Sequence, residues 1–543
     1  MTERQLRSAP TQWRGRSPAS HPLAGRDIPW LVAERARTRG THPCLAWEPF
    51  EGPVRRWTYA EFAHDVARAA AGLAARGVRA GNRVLIHLDN CPEFLLAWYA
   101  CAHVGAVAVT TNTRSVADEL AYFADHAAVV GAITQPRFAE LVNGAARCVR
   151  WLVCTDTDAG ATPRPADAAP ASARFASLLG DADTAPRRLP DPTAPVGIQF
   201  TSGTTSRPKG VVWTHANALW GGRVSASHQD LRPDDVHLTY LPLFHTNAQT
   251  YSVLPTLWVG GTVVLQPRFS ASRFWDVSLR NRCTWTSMVP FCLKALLDHD
   301  VPARHAYRLW GNAVCDPPTD ARFGVKTIGW WGMTETITHG IVGDVHLPNR
   351  PMSIGRAAPE YEIAVVRDDG AAVVAGETGH LLIRGLPGLS LFLEYLDNPD
   401  ATAASFDPDG WFKTGDRVTP GADGFIVFAD REKDMLKVGG ENVAASEVER
   451  VVATVPGVSE VAVVASRHPM LDEVPVAFVI ASGDVAGLVE RVLAACRGQL
   501  ADFKVPRAVY LVDELPRSTL EKIAKAELRR RLEDMDAAEG RAR

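Results

Sequence analysis

The segment Phe200-Thr201-Ser202-Gly203-Thr204-Thr205-Ser206-Arg207-Pro208-Lys209-Gly210 lies between two short apolar runs, residues 196–200 and 211–214. It contains five hydroxyl side chains, two glycines and a lysine. Backbone amides in such a turn can surround an anion, and the lysine ammonium adds a point charge for phosphate oxygens. It is not a Walker A loop, because Gly210 follows Lys209 where that motif has serine or threonine. The segment predicts a phosphate-binding loop between two strands.

Helical and strand patterns alternate on both sides of this loop. Before it, helical periodicity over residues 59–76 and 92–103 alternates with β-rich runs over residues 83–87 and 106–110. Strands separated by helices predict a parallel sheet with crossover helices. A second series of the same kind follows the loop and extends to about residue 343. We therefore predict an α/β fold, with a large N-terminal domain of layered α/β subdomains.

The pattern changes twice beyond this second series. Short β-like runs with glycine and proline occupy residues 354–428, and a charged segment, Asp430-Arg431-Glu432-Lys433-Asp434, leads into a mixed pattern of helices and strands. We predict a β section that completes the large domain, followed by a small mobile α+β domain. The predicted parts are a flexible leader (1–26), an N-terminal domain (27–431) and a C-terminal domain (432–543). The stretch 155–195, rich in Asp, Ala, Thr and Pro, predicts an exposed connector.

The composition excludes several classes of protein. The 543 residues are 46% apolar and 22% charged, and 58 Lys plus Arg against 61 Asp plus Glu give a net charge of −3. The chain therefore lacks the excess of Lys and Arg that is expected for binding to nucleic acids or anionic membranes. The longest apolar run, residues 94–109, is shorter than the ~20 residues of a membrane span, so we predict none. Nine scattered cysteines with no CxxC pair indicate reduced thiols and a cytoplasmic location.

Five motifs in register resemble those of the adenylate-forming superfamily, which includes acyl-CoA synthetases, aryl-CoA ligases, luciferases and peptide-synthetase adenylation domains. Besides the phosphate loop, they are Gly332-Met333-Thr334-Glu335-Thr336, Gly410-Trp411-Phe412-Lys413-Thr414-Gly415-Asp416, the charged segment with Gly439-Gly440-Glu441-Asn442, and Leu515-Pro516-Arg517 with Lys522. The resemblance extends from about Trp57 to Lys525. The residues around Glu335 are most similar to the branch of carnitine-type and other CoA ligases.

The resemblance implies two half-reactions. A carboxylate attacks the α-phosphate of ATP and releases pyrophosphate, and the CoA thiol then attacks the acyl adenylate and releases AMP. Mg²⁺ and a few well-positioned cations neutralise the charge that develops in the first step. The positions that match the family's phosphate, nucleotide and metal sites are Ser202, Gly203, Thr204, Thr205 and Lys209 for the phosphates of ATP, Thr334 for the nucleotide, and Glu335 with Thr204 for Mg²⁺.

Other matched positions are expected to bind the rest of the nucleotide and CoA. Trp331 stands where the family has an aromatic residue beside the adenine. The Asp416 carboxylate accepts hydrogen bonds only, which suits the ribose hydroxyls, and Arg431 can reach the ribose or α-phosphate. Lys433 matches the hinge about which the small domain rotates between half-reactions. Gly439 and Gly440 would allow the backbone to approach the pantetheine arm closely.

The acyl site is less clearly marked. The segments that line it in relatives contain His245, Trp213, Trp220, Gly332 and the turn Gly311-Asn312-Ala313. Each of these residues could equally belong to the core. Fifteen tryptophans hint at a broad, flat hydrophobic carboxylic acid such as an aryl or polycyclic one. The sequence does not decide between an aryl, a fatty and a polycyclic acid.

The last motif departs from the family pattern. Relatives have a glycine directly before the catalytic lysine, whereas this chain has Glu521 before Lys522. Ser518-x-x-Glu521 is a capping box, which would start the terminal helix early and hold Lys522 on it. A carboxylate roughly 6 Å from the ammonium interacts with it by about 3 kcal/mol at an effective dielectric near 20. We expect either a weakened adenylation step or a loop that tolerates the glutamate.

Taken together, these features predict an AMP-forming acyl-CoA ligase that uses ATP or an acyl adenylate, Mg²⁺ and CoA. Four alternatives stay open: a thioesterification enzyme supplied by a partner adenylating enzyme, an acyl transferase to a carrier protein, a luciferase-like oxygenase, and a nucleotide-binding relative without turnover. The expected partners are a small carboxylic acid or its adenylate and CoA, with no nucleic acid and no membrane span.

Overall fold

The structure is a computed structural model that describes residues 20–161, 173–201, 208–431, 434–438, 441–468, 471–483, 485–500, 502–517 and 523–541. The chain divides into two compact units. The first runs to residue 362 and includes residues 384–411, and the second contains residues 363–383 and the chain from residue 412 onward.

The α-helices of the described residues are numbered in chain order. They are α1 (Ile28–Arg39), α2 (Tyr59–Ala75), α3 (Pro92–Val104), α4 (Ala117–His126), α5 (Ala139–Ala145), α6 (His215–His228), α7 (Leu254–Val259), α8 (Ala271–Asn281), α9 (Pro290–Leu296), α10 (Asp320–Phe323), α11 (Pro399–Ala404), α12 (Ala445–Ala453), α13 (Leu488–Gln499) and α14 (Lys525–Arg541).

The strands of the described residues are numbered in the same way. They are β1 (Pro43–Trp47), β2 (Arg55–Thr58), β3 (Arg83–His87), β4 (Val107–Thr110), β5 (Gly131–Thr134), β6 (Leu152–Cys154), β7 (Pro195–Thr201), β8 (Lys209–Thr214), β9 (Val236–Thr239), β10 (Thr262–Leu265), β11 (Trp285–Ser287), β12 (Leu309–Asn312), β13 (Thr327–Trp331), β14 (Ile341–Val342), β15 (Arg356–Ala357), β16 (Glu362–Val366), β17 (Gly379–Arg384), β18 (Glu394–Tyr395), β19 (Phe412–Pro420), β20 (Ile426–Arg431), β21 (Met435–Val438), β22 (Glu441–Ala444), β23 (Val458–His468), β24 (Asp472–Ala481) and β25 (Ala508–Leu511).

Two large sheets form the framework of the first unit. One has the strand order β18-β8-β7-β4-β3-β5-β6, and the other has the order β15-β14-β13-β12-β11-β9-β10-β1-β2. Strands β4, β3, β5 and β6 pair in parallel, as do β1, β10, β9, β11, β12 and β13. The predicted α/β fold with crossover helices is confirmed.

Local sequence explains where the elements of the first unit begin and end. Helix α2 begins at a capping box, in which the Thr58 and Glu61 side chains each accept from the other residue's backbone N–H. Helix α3 begins with Pro92 and ends at Gly105, whose φ of 82° is left-handed and allows the turn into β4. Helix α3 and strand β4 are buried except for Glu93 and His103, so the long apolar run is a buried helix followed by a buried strand, as predicted.

The second unit contains two smaller sheets. One has the order β16-β17-β19-β20, and the other has the order β22-β21-β24-β23 with β25 parallel to β24. Helices α12 and α13 contribute to an apolar core on one face of the latter sheet, and α14 packs through Leu528 and Leu532 on the other. The division predicted at residues 431/432 stays a prediction, as do the roles of the two parts.

The predicted connector is more tightly packed than its composition indicated. Residues 162–172 lie outside the described residues, but Phe175 and Leu178 are buried. The carbonyl of Leu178 approaches Gly72 of α2 so closely that a Cβ at Gly72 would overlap it. The prediction of an exposed connector is wrong at Phe175 and Leu178, where a glycine on the helix allows the backbone to approach, whereas Leu189 further along is 88% exposed.

Three other expectations concern the ends, the thiols and the membrane. Residues 1–19 of the predicted leader lie outside the described residues, whereas Leu23 within it is buried. All nine cysteines are free thiols, and Cys148 is the exposed one. Among the described residues, no helix has the length and apolar character needed to cross a bilayer.

Candidate active site

Strands β7 and β8 carry the phosphate-loop segment as an antiparallel hairpin. Their register pairs Thr201 with Lys209, so the loop begins and ends at adjacent backbone positions. Lys209 is half-buried at the first position of β8. The predicted ligands Ser202, Gly203, Thr204 and Thr205 lie outside the described residues. The hairpin therefore fixes where Lys209 stands at the base of the loop.

Glu335 and Lys209 both contact Tyr395, one at its hydroxyl and the other at its ring. Tyr395 lies on β18, which pairs with β8, and its hydroxyl donates to Glu335 Oε1 at 2.9 Å. The Lys209 ammonium lies 4.5 Å from the centre of the Tyr395 ring. Glu335 is 4% exposed and Tyr395 is 5% exposed. This cluster of Lys209, Glu335 and Tyr395, called the acidic cluster below, brings together two residues that the sequence predicted and one that it did not.

The hydroxyl of Tyr395 stays protonated in this setting. Burial raises the pKa of Tyr395 first, and the Glu335 carboxylate raises it further. A phenol in this environment is a stable donor to the carboxylate, and a hydrogen bond to an ionised group is stronger than one between neutral groups. The cluster thus holds one carboxylate oxygen of Glu335 in a defined direction.

A hydrogen-bonded network fixes Thr334, the residue before Glu335. The Trp213 indole N–H donates to the Thr334 carbonyl at 2.9 Å. Thr246 Oγ1 donates to Gln199 Oε1 at 2.9 Å and can accept from Thr334 Oγ1, which lies 3.1 Å away. Trp213 is fully buried, so its role here is to position the backbone beside Glu335. Its predicted part in the acyl site stays a prediction.

The adjacent tryptophans of β13 lie on opposite faces of their sheet, because side chains alternate along a strand. The register pairs Gly311 with Ile328 and Asn312 with Gly329, which puts Gly311 on the Trp330 face and Asn312 on the Trp331 face. A Cβ at Gly311 would overlap the Trp330 ring. Gly311 and Asn312 end strand β12 rather than forming the predicted turn, since both continue its pairing.

Trp331 and Asn312 thus share one face of the sheet. Both are buried. Asn312 Oδ1 has no hydrogen-bond partner among the described residues. A buried amide oxygen of this kind is normally paired, so it is suited to accept a hydrogen bond from a bound molecule. The Trp331 indole and the Asn312 amide oxygen, on one face of the sheet, suit the adenine site that the sequence predicts at Trp331.

On the other face, Gly332 allows Tyr251 to approach the strand end. A Cβ at Gly332 would overlap the Tyr251 hydroxyl and crowd the Thr338 carbonyl. Tyr251 belongs to a π-helical turn, Asn247–Val253, and such turns occur frequently at functional sites. Gly332 is therefore a close-approach glycine between β13 and this turn.

The remaining predicted acyl-site residues surround this region. His245 is half-buried just before the π-helical turn. Trp220 lies on α6, and its indole N–H is 3.4 Å from the Tyr361 hydroxyl, which donates to the Thr336 carbonyl at 2.7 Å. The structure thus connects Trp220 through Tyr361 to the segment that carries Glu335.

The second unit carries the predicted ribose ligands. Asp416 is buried on β19, and the register pairs it directly with Arg431 on β20. The Asp416 backbone N–H donates to Thr414 Oγ1 at 3.1 Å, and that hydroxyl donates to the Leu381 carbonyl at 2.7 Å. The predicted residues Lys433, Gly439, Gly440, Glu521 and Lys522 lie outside the described residues.

The residues of the acidic cluster fit a hard divalent cation. Mg²⁺ is usually held by one or two carboxylates together with waters and substrate phosphates. A buried glutamate beside a phosphate loop rich in hydroxyls provides such oxygen donors. Among the described residues there is no group of three His, Cys, Asp or Glu side chains that could hold a metal ion.

Sequence reasoning missed Tyr395, Thr246 and Gln199. Gln199 lies one residue before the quoted segment, and a polar residue in an otherwise apolar strand is a weak signal. Thr246 follows the predicted His245. Tyr395 has no such signal, since it reaches Glu335 only through the pairing of β18 with β8.

Layered sheets with parallel strands, a hairpin that carries the predicted phosphate loop and a buried carboxylate, Glu335, agree with the fold and site expected of an adenylate-forming enzyme. The comparisons with known proteins agree. The model of the AMP-binding enzyme family matches residues 32–396, and that of the AMP-binding enzyme C-terminal domain matches residues 447–522.

Curated relatives and solved structures match nearly the whole chain. It is 35% identical over 524 residues to the crotonobetaine/carnitine–CoA ligase of Escherichia coli (strain SE11), covering 93% of this chain and 99% of the relative. The ligase of that name from Salmonella paratyphi C (strain RKS4594) is 33% identical over 521 residues, with the same coverage. ATP-bound MatB from Rhodopseudomonas palustris superposes with a TM-score of 0.81 at 26% identity, over 94% of this chain and 100% of that chain. MenE from Bacillus subtilis, an O-succinylbenzoate–CoA synthetase in complex with ATP and magnesium, gives 0.80 at 26% identity, over 93% and 99%. The chain belongs to the AMP-binding enzyme family, in its branch of AMP-forming acyl-CoA ligases.

Proposed function

We propose that this enzyme joins a hydrophobic carboxylic acid to CoA through an acyl adenylate, with ATP, Mg²⁺ and CoA as its cofactors. The observation that carries the proposal is the acidic cluster, in which Lys209 and Glu335 flank Tyr395 at the base of the phosphate loop. The two family models match the chain on either side of the predicted hinge, which supports a reaction that uses two domains.

The chain's own residues have distinct tasks in the adenylation step. Lys209 would pair with the terminal phosphates, which carry growing negative charge as pyrophosphate leaves. Glu335 presents a carboxylate oxygen for Mg²⁺, and Tyr395 keeps that carboxylate in place. Bound Mg²⁺ would supply charge neutralisation at the phosphates. Asp416 would accept hydrogen bonds from the ribose hydroxyls, and Asn312 would accept one from the adenine amino group.

A substrate panel tests the proposal directly. The native enzyme is incubated with ATP, Mg²⁺, CoA and aryl, fatty or polycyclic acids, with carnitine and crotonobetaine included because the relatives carry their names. We expect equal amounts of AMP and thioester, with the highest kcat/KM for a hydrophobic acid. Glu335→Gln should abolish acid-dependent AMP formation, whereas the matched surface change Glu140→Gln should leave it unchanged. Thioester without AMP, or AMP formation unaffected by Glu335→Gln, would contradict the assignment.

The Glu521-Lys522 pair leads to a second proposal, namely that adenylation is impaired while thioester formation is retained. Its support is the sequence, in which an acidic residue replaces the glycine before the catalytic lysine. The test compares pyrophosphate release from acid and ATP with thioester formation from chemically made acyl adenylate. Slow release restored by Glu521→Gly, but not by the nearby Glu514→Gly, supports the proposal. Rapid release by the native enzyme refutes it.

The acceptor and the location are also proposals. We propose CoA rather than a carrier protein as the acceptor, and parallel assays with CoA and a phosphopantetheine-bearing carrier protein separate the two. A partner adenylating enzyme becomes relevant only if the native chain accepts preformed adenylate alone. Nine free thiols support a reducing compartment, and we propose the cytoplasm.

A further inference from the structure

His339 is buried close to the acidic cluster but has no part in the chemistry described above. It follows Glu335 by four residues and is 0% exposed. Its ring stacks on Trp330, with ring centres 4.6 Å apart and planes 8° apart. The Tyr251 ring lies 4.2 Å from it on another side. His339 thus occupies an aromatic environment on the Trp330 face of β13.

The same two aromatic rings contact two glycines that the sequence predicted for the acyl site. The Trp330 ring fills the space left by the missing side chain of Gly311, and the Tyr251 hydroxyl fills the space left at Gly332. His339 is therefore one ring away from each of these glycines. If these glycines line the acyl site, as the sequence predicts, His339 lies on the same side of β13 as that site and on the side opposite Trp331.

The backbone that carries His339 is held in an unusual conformation. Ile337 has a φ of 66°, which is rare for a β-branched residue and costs energy unless neighbouring groups impose it. The Ile337 carbonyl accepts from Thr250 Oγ1 at 2.5 Å, and Thr338 Oγ1 shares a 2.5 Å hydrogen bond with Ser225 Oγ. Strained backbone of this kind is frequent at binding sites.

A chain of polar groups determines which nitrogen of His339 carries the proton. Glu360 Oε2 lies 2.8 Å from His228 Nε2, so this nitrogen donates to the carboxylate. The other ring nitrogen of His228 lies 3.5 Å from His339 Nδ1 and can accept the Nδ1 proton of His339. His339 Nε2 then presents a lone pair. Among the described residues this atom has no hydrogen-bond partner.

Two further facts support a neutral imidazole with an available acceptor. Burial, and secondarily His228, hold the pKa of His339 well below its usual range. Buried polar atoms are nearly always paired, and an unpaired one costs free energy that a ligand can recover. The neighbouring hydroxyls of Ser225 and Thr338 are bonded to each other, whereas His339 Nε2 has no partner among the described residues.

We infer that His339 recognises a hydroxyl or amino group on an otherwise apolar acyl substrate, by accepting its hydrogen bond at Nε2. The aromatic surfaces of Trp330 and Tyr251 would cover the apolar body of the acid, and His339 would select for the one polar substituent. The inference rests on the proposed function and narrows its substrate class. Glu360 and His228 act as positioning residues that fix the tautomer.

The test measures binding of non-hydrolysable acyl-sulfamoyl adenosines by calorimetry, so it does not depend on turnover. The analogues form pairs of aryl acyl groups, in which one member has a hydroxyl and the other a methyl at the same ring position. The two substituents are similar in size, so the members of a pair differ mainly in polarity. We expect the native enzyme to prefer the hydroxyl by about 10- to 100-fold at one ring position. His339→Leu should remove or reverse this preference, and His339→Gln, which retains an acceptor, should keep part of it. The surface change His346→Leu is the matched control.

The outcomes separate this inference from the function on which it rests. ATP binding by each variant verifies its folding. Equal binding of hydroxyl and methyl analogues by the native enzyme at every ring position overturns the role of His339 but leaves the ligase function intact. A hydroxyl preference that survives in a folded His339→Leu variant also overturns it. No binding of any analogue by an enzyme that binds ATP overturns the proposed function together with the inference.

Discussion

Replacing Tyr395 by phenylalanine removes one oxygen atom from the centre of the acidic cluster and leaves the ring in place. The lost contact is the 2.9 Å hydrogen bond to Glu335 Oε1. The position of the Lys209 ammonium, 4.5 Å from the ring centre, depends on the ring alone and should be unchanged. The substitution therefore tests the orientation of the Glu335 carboxylate without changing the position of the Lys209 ammonium.

The expected loss follows from the burial of both partners. A hydrogen bond to a charged group contributes about 1.5–3 kcal/mol, and 1.4 kcal/mol is tenfold in an equilibrium constant. Removal of a group that orients a metal ligand typically lowers metal affinity by about 10- to 100-fold. We expect the Mg²⁺ concentration needed for half-maximal ATP binding to rise by that factor, because Glu335 must first be oriented when the cation binds.

Calorimetric titration of ATP at a series of Mg²⁺ concentrations measures this effect without relying on turnover. ATP affinity at saturating Mg²⁺ should approach that of the native enzyme. Tyr307→Phe is the control, since it removes another buried hydroxyl, which lies 2.6 Å from Ser278 Oγ outside the cluster. A Tyr395→Phe variant with the native Mg²⁺ dependence would refute the role assigned to the hydroxyl. Tyr395→Leu should additionally weaken ATP binding at saturating Mg²⁺, because Lys209 loses its aromatic surface.

Two further predictions concern stability. Gly311→Ala should lower the free energy of unfolding by about 1–3 kcal/mol, because its Cβ overlaps the Trp330 ring, whereas Gly144→Ala in α5 has open space and should be neutral or slightly stabilising. Urea unfolding compares the two, and equal effects would contradict the packing. Burial, with a smaller contribution from Arg137, lowers the pKa of His87 to about 4. Between about pH 6.5 and pH 4 the unfolded chain therefore binds a proton that the folded chain does not, so the free energy of unfolding decreases as the pH falls through this range. His87→Gln should reduce the slope of unfolding free energy against pH between pH 4.5 and 5.5 by about 1.4 kcal/mol per unit, and an unchanged slope would show that His87 is not a buried neutral imidazole.

Local patterns predicted much of the fold. Strand β3 has the predicted bounds, and α2 and α3 end within one residue of theirs, because apolar periodicity and capping residues act over a few positions. The phosphate loop and the motif at Glu335 were visible because their residue types are close in sequence. These features depend on neighbours along the chain, which a single sequence displays.

The rest of the site depends on contacts between distant segments. Tyr395 reaches Glu335 because β18 pairs with β8, and no pattern around Tyr395 indicates that pairing. The register of β12 against β13 determines that Gly311 shares a face with Trp330 and Asn312 shares one with Trp331, and a sequence pattern does not determine that register. The hydrogen-bonded chain of Glu360, His228 and His339 likewise could not be predicted, because only the fold brings these residues together.

The overlap of the Trp330 ring with the space at Gly311 limits the order in which this wall can change during evolution or engineering. A side chain larger than a methyl group at Gly311 cannot be accommodated while the indole is present, so the tryptophan must be replaced first. Replacement of Trp330 by a small residue would open a volume near the size of an indole beside His339, into which a longer acyl group could extend. The route to a new substrate therefore has a required first step, and variant libraries that randomise Gly311 alone will return few folded enzymes.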